Sequence, residues 1–211
     1  MINLICGKIN PLEKFNLTGQ FLIAMPAMTD PYFSKTVTYI CTHNQDGAMG
    51  IIINRHSDIT VARLFEQIQL ETESLSLLTK TVHYGGPVQI ERGFILHDIL
   101  PAPHEEFNST IVINNAVALT TSKDILEAVA KNNGLKNNVP QKILIALGYT
   151  GWAAGQLEQE MAQNAWLSLK TSLVEEVHSL IFDAPNHDKF DLAMGMMGLN
   201  LANFSHSAGH A

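Results

Sequence analysis

The sequence predicts an α+β domain built on a mostly antiparallel sheet. Three observations lead there. Apolar, β-branched and aromatic runs of strand length recur from the first quarter of the chain into its last third, as in TVTYICT, GIIIN and KILIAL. Stretches with helical spacing lie among them without the regular strand–helix–strand alternation of a doubly wound sheet. No internal repeat, low-complexity tract or linker divides the chain, so one domain is expected over residues 1–211, with a flexible tail from about residue 204.

In order along the chain, GQFLIA and TVTYICT read as two strands joined by a polar connection. Pro26 and Pro31 in that connection forbid a continuous helix. Asn44–Gly47 (NQDG) is a turn signal, and AMGIIIN after it completes a hairpin. Asp58 or Thr60 then caps a helix whose apolar positions Val61, Leu64, Phe65 and Ile68 share one face. TVHYGGPV and QIERGFILHD are extended pieces broken at Gly85–Gly86–Pro87, and FNSTIVINNAVALTT reads as a further strand or bulged hairpin. Thr121 with Asp124 resembles a capping box opening a helix that Gly134 would close. KILIALG is a buried strand, GQLEQEMAQNAW a helix and KFDLAMGMM a last helix. LGYTG between the first two reads as a glycine-rich turn.

Composition narrows the function classes. Thirteen Lys and Arg stand against twenty Asp and Glu, a net charge of −7, and no basic cluster is present. Nucleic-acid affinity rests on cations that neutralise phosphates, so direct nucleic-acid binding is not expected. The apolar runs are far shorter than a membrane span, and the N-terminus lacks the basic start and apolar core of a signal peptide. Cys6 and Cys41 are too few for a disulfide framework, which fits a reduced, cytoplasmic protein. Cys41 lies in an apolar strand pattern and reads as an inert core thiol.

Several segments together resemble one family. MPAMTDPYFSKTVTYICTHNQDGAMGIIINR, YGGPVQIERGFILH, LGYTGWAAGQLEQEM followed by NAWL, IFDAP, and the terminal AGHA occur in the order and density of the bacterial AlgH/YqgE family. The resemblance runs from about Gly19 to Ala211. It implies a single α+β domain whose bifurcated sheet folds into a pseudo-barrel flanked by helices, in a bacterial cytoplasm. By name the family is linked to transcriptional control of exopolysaccharide synthesis, with no established DNA-binding motif or catalytic mechanism. SLKTSLVEEVHSLIFDAP departs from the family pattern in being more polar at its start.

Two readings of function follow. The first is a non-enzymatic regulatory or interaction protein, acting on transcription through a protein partner. It draws on the resemblance, the acidic charge and the lack of a catalytic constellation. The second is a binder or enzyme for a small phosphorylated or acidic metabolite. Gly148, Gly151 and Gly155 offer close backbone approach before a helix N-terminus, where free N–H groups attract anions. Tyr149 and Trp152 could stack there, with Gln156 on the helix. Gly85 and Gly86 form a second close-approach corner, and Arg55 and Arg92 could turn toward both as bidentate donors. Against this, glycines serve tight packing on their own, and the arginines could pair with Asp30, Asp58 or Glu91. Neither a Walker lysine nor GxGxxG spacing is present. No cofactor or metal is expected, since His43, His83, His97 and His104 are widely separated and no HExxH or paired Cys occurs.

Overall fold

The computed structural model describes residues 15–100, 107–131 and 139–199. Expectations for Cys6, His104, Gly134 and the tail from about residue 204 lie outside the described residues.

Eight strands follow one another across a curled sheet. In spatial order they are β10 (Trp166–Leu169), β1 (Phe21–Ala24), β2 (Val37–Asn44), β3 (Gly47–Ile52), β9 (Ile143–Ala153), β6 (Val88–Asp98), β8 (Val117–Thr120) and β7 (Thr110–Val112). Two more strands, β4 (His56–Thr60) and β5 (Thr81–Tyr84), branch from that path, β4 pairing β5 and β5 pairing β9. All pairs are antiparallel except β5 with β9. The α+β class and the split sheet of the sequence reading are therefore present.

The fork lies on β9. Its last residues, Thr150–Ala153, pair β3, whereas Ala146 and Leu147 pair β5 on the same edge. β6 holds the opposite edge at Ile143–Leu147. An 11-residue strand serves three partners because two of them share one edge end to end.

Strand alternation feeds three cores. Phe21 and Ile23 of β1 join one cluster while Leu22 and Ala24 join another, as the two-residue period of a strand requires. The largest cluster packs the sheet against α5 (Val174–His178), a π-helical turn (Ser179–Asp183) and α6 (Lys189–Met196). A second lies under α1 (Val61–Gln67), α2 (Leu75–Leu78) and α3 (Asp124–Lys131), and a third under α4 (Gln156–Ala162). With both faces covered, the central strands read as continuous apolar runs.

The NQDG hairpin forms with Asn44 opposite Gly47, and Thr60 caps α1 by accepting the Arg63 N–H at 3.2 Å. Other expectations need correction. α3 is not opened by a Thr121 cap: the Thr121 hydroxyl accepts from Arg92, and Asp124 itself accepts the N–H groups of Asn108 and Ile125. Partial burial works to raise the Asp124 carboxyl, but donation from the Ser122 hydroxyl, followed by these backbone N–H groups and the Asn108 amide, holds it below its usual range. The helix read over GQLEQEMAQNAW ends at Ala162, and the last residue of that stretch, Trp166, opens strand β10. Cys41 is buried, and desolvation pushes its thiol pKa well above the ordinary value, so it is the core thiol expected.

Candidate functional site

The glycines of LGYTG do not form a turn. β9 runs straight through Gly148 and Gly151 to Ala153, and the chain reverses only at Gly155, with φ 75°. Gly148 has φ 72° inside the strand and Gly86 has φ 151°. A methyl group on Gly148 would stand 2.3 Å from the Gly86 carbonyl oxygen, and one on Gly86 2.2 Å from the Tyr149 carbonyl carbon. Gly85 is as tight, 2.2 Å from the Gly148 oxygen, while its own N–H and C=O bond Leu147 and Ile52. The two glycine corners meet each other where the sheet forks. Bare backbone at both is the condition for β3, β5 and β6 to converge on β9. Gly151 is different: it sits in ordinary strand geometry opposite Met49, and a methyl there would meet only the Tyr149 ring, at 3.2 Å.

The remaining residues of the glycine-and-arginine reading are engaged in separate places. Arg55 donates to the Pro31 and Ser34 carbonyls at 2.8 and 2.9 Å, fastening the connection between β1 and β2. These carbonyls, not the carboxylates of Asp30 or Asp58, are its partners. Arg92 donates to Thr121 Oγ1 at 3.3 Å and lies over the Phe94 ring. Tyr149 packs on Phe94. Trp152 is buried, and its indole N–H and that of Trp166 both donate to Glu160 Oε2, at 2.9 and 2.8 Å. Gln156 donates to Glu160 Oε1 and accepts the Ala153 N–H. Glu160 thus ties α4 to two strands. Nearby, His43 accepts the Leu17 N–H at Nδ1 and meets Glu158 at Nε2, 3.1 Å away. With both ring nitrogens occupied, this pair braces the structure and leaves no free base.

A different region holds open space. A hollow of about 280 Å³ lies between β5, the start of β9, the π-helical turn and α6. Val61, Ile143, Ile145, Ile181 and Phe182 give it apolar walls, and His83, Asn186 and Lys189 bring polar groups to it. Lys189 is 2% exposed, and its Nζ donates to the Ile53 and Ile181 carbonyls at 2.9 and 2.7 Å. Burial lowers its pKa to about 8, with Asp183 opposing, so it is still charged at neutral pH. His83 is lowered to about 4 by burial first and then by the Lys189 charge, and is neutral. Its Nδ1 is buried without a hydrogen-bond partner, whereas Nε2 faces the Asn186 amide at 2.9–3.1 Å.

Sequence reasoning passed over Asn186, Lys189 and His56, whose ring lies 5.6 Å from that of His83. Residues 56, 83, 186 and 189 belong to no motif and come together only through the β4–β5 pairing and the return of α6. One signal was available. Lys189 lies four residues before Ala193 and next to Phe190, on the face of α6 that turns inward.

The family model described as AlgH-like matches residues 21–202. A UPF0301 protein of Ralstonia nicotianae is 46% identical over 96% of the chain and 99% of its own length. The chain belongs to the AlgH-like family. A UPF0301 protein of Thiobacillus denitrificans is 47% identical over 95% of the chain and its own entire length. The AlgH-like fold is seen in the solution structure of the AlgH protein from Pseudomonas aeruginosa, with 39% identity and a TM-score of 0.71 over 93% of this chain and 96% of that one. A Corynebacterium diphtheriae protein, 18% identical with a TM-score of 0.59 over 85% and 87% of the two chains, shares the fold alone. Among the described residues of this AlgH-like chain, no helix is long and apolar enough to cross a membrane.

Proposed function

We propose that the protein is a non-enzymatic binding protein that takes a small acidic ligand, a carboxylate or phosphate, in the hollow beside α6. The observation behind this reading is the convergence of His83, Asn186 and Lys189 on one hollow that has apolar walls on one side and Thr79, Lys80 and Thr81 on the other margin of its lining. Ligand pockets combine such walls with a few placed polar groups, and this volume is just below their usual range of about 300–1,000 Å³. A single small metabolite fits it better than a dinucleotide. Lys189 uses two of its three N–H groups on carbonyls, so its charge and one donor remain for an anion. Neutral His83 and the Asn186 amide add hydrogen bonds and no second charge.

The test is a thermal-shift screen with sugar phosphates, inorganic phosphate and small carboxylic acids, in buffer containing a metal chelator. A ligand at a hundred times its dissociation constant stabilises the folded state by about 2.7 kcal/mol. For a domain this size that moves the melting point by several degrees. The expected result is a shift from one anionic class that Asn186→Ala abolishes. A flat response across the panel, or one insensitive to Asn186→Ala, would count against the hollow.

A second reading, an interaction protein that influences transcription through a partner, is favoured by the sheet's end. β7 closes the strand order, and its Ile111 and Val112 are exposed, as is Ile90 on the outer part of β6. An edge that no strand pairs among the described residues, with apolar side chains on it, is suited to strand addition. Ile111→Lys with Val112→Lys should then release a co-purifying partner without changing the melting point, and unchanged co-purification would remove this reading. Cytoplasmic residence suits both, given the buried, unpaired Cys41 thiol.

A further inference from the structure

We propose that His56 and His83, with the side-chain amide of Asn186, form a binding site for a divalent first-row transition-metal ion such as Ni²⁺ or Zn²⁺. The site shares His83 and Asn186 with the hollow, but it rests on the histidine pair and needs no anionic ligand.

The backbone register supplies the geometry. His56 on β4 and His83 on β5 are directly opposite each other in an antiparallel pair. Side chains so placed leave the same face of the ribbon, with Cβ atoms about 4.5–5.5 Å apart. The ring centroids are 5.6 Å apart and tilted by 40°. Two imidazoles bound to one ion at about 2.0–2.1 Å per metal–nitrogen bond have centroids roughly 5–6 Å apart. The pair therefore already has the separation of a shared metal, before any backbone movement.

The surrounding groups assign the nitrogens. Thr81 Oγ1 lies 2.7 Å from His56 Nδ1, which occupies that nitrogen and leaves Nε2 for a metal. His83 turns Nδ1 into the protein and presents Nε2 toward Asn186. The Asn186 amide fills the space between the rings, its Nδ2 2.9 Å from His83 Nε2 and 3.1–3.2 Å from the His56 nitrogens. Being almost equidistant from both His56 nitrogens, Nδ2 lies against the face of that ring. A shared ion therefore needs the exposed His56 ring to turn about its side-chain bonds to aim Nε2 inward, and the Asn186 amide to rotate by half a turn to offer its oxygen, with water to complete the shell. A donor set of two imidazoles selects Zn²⁺, Ni²⁺ or Cu²⁺ over Mg²⁺ or Ca²⁺. His56 is exposed, which gives an ion a path in. The Lys189 ammonium is a like charge acting on His83, and it holds the affinity below that of a closed site with three or four protein ligands.

The experiment is calorimetric titration of the full chain, carrying no added histidine tag, with Ni²⁺ and then Zn²⁺ at neutral pH and without any organic ligand. The expected result is one saturable site per chain in the micromolar range. His56→Gln should weaken it about tenfold or more, since one of two imidazoles is lost, with the melting point unchanged because the side chain is exposed. Asn186→Ala should weaken it less. Spectra of the Cu²⁺-loaded protein should show coupling to two imidazole nitrogens, falling to one in His56→Gln. Absence of saturable binding, or binding that His56→Gln leaves intact, would overturn the site.

Discussion

The fork of the sheet and the hollow beside α6 are built on opposite terms. At the fork, Gly85, Gly86 and Gly148 bring backbone against backbone, and no side chain can enter. At the hollow, side chains from β5, a turn and α6 surround space that the chain does not fill, and one buried nitrogen lacks a partner. The fork is conspicuous in sequence because only glycine satisfies it. The hollow is inconspicuous because histidine, asparagine and lysine are each common and are assembled from segments about a hundred residues apart. Glycine-rich stretches thus mark where packing is tightest, which need not be where a ligand binds.

That contrast can be broken or sharpened by substitution. The largest effect is expected at the fork. Gly148→Ala or Gly86→Ala combines a positive φ with a methyl group about 2 Å from backbone atoms, and should cost more than about 3 kcal/mol, enough to prevent folding of a marginal domain. Urea denaturation checks this, and a loss under about 1 kcal/mol would mean the corners are not in contact. Next comes Lys189→Met, which keeps the apolar stem but leaves the Ile53 and Ile181 carbonyls without a donor. A loss of about 2–3 kcal/mol is expected from two buried acceptors.

A pH dependence of about 2 kcal/mol follows from His83. Its folded pKa, about 4, is below the ordinary 6.5, so the unfolded chain binds the proton more readily. The His83 contribution is complete above pH 6.5 and is lost as pH falls from there toward 4. The shift would correspond to about 3 kcal/mol, reduced here because the ring is not fully enclosed. Denaturation curves across that range, flattened in His83→Gln, check it. The smallest effect belongs to Gly151→Ala. Its strand geometry is ordinary and the added methyl meets only a ring edge, so a change below about 1 kcal/mol is expected. Two glycines three residues apart in one strand should then differ severalfold in what they tolerate.

Much of the fold was legible in the sequence for local reasons. β2, β3, β5, β9, α1 and α6 announce themselves by period, turn chemistry or capping, and the AlgH/YqgE resemblance supplied the bifurcation. What was misread depends on pairing at a distance. LGYTG runs on as strand because β3 and β6 hold both of its edges, and Trp166 begins a strand rather than ending a helix because β1 lies beside it. Arg55 and Arg92 were sound choices as charges needing partners, yet carbonyls and a hydroxyl meet that need where carboxylates were expected. The hollow itself had one legible trace, a lysine on the inward face of the last helix.

The most direct measurement is a ¹⁵N–¹H correlation spectrum of the protein during titration with a panel of phosphates and small carboxylates. The hollow as binding site requires saturable shifts at His83, Ile145, Asn186 and Lys189, with Gly86 and Gly148 unmoved. Shifts centred on Gly86, Gly148 and Arg92, or none anywhere in the panel, would contradict it.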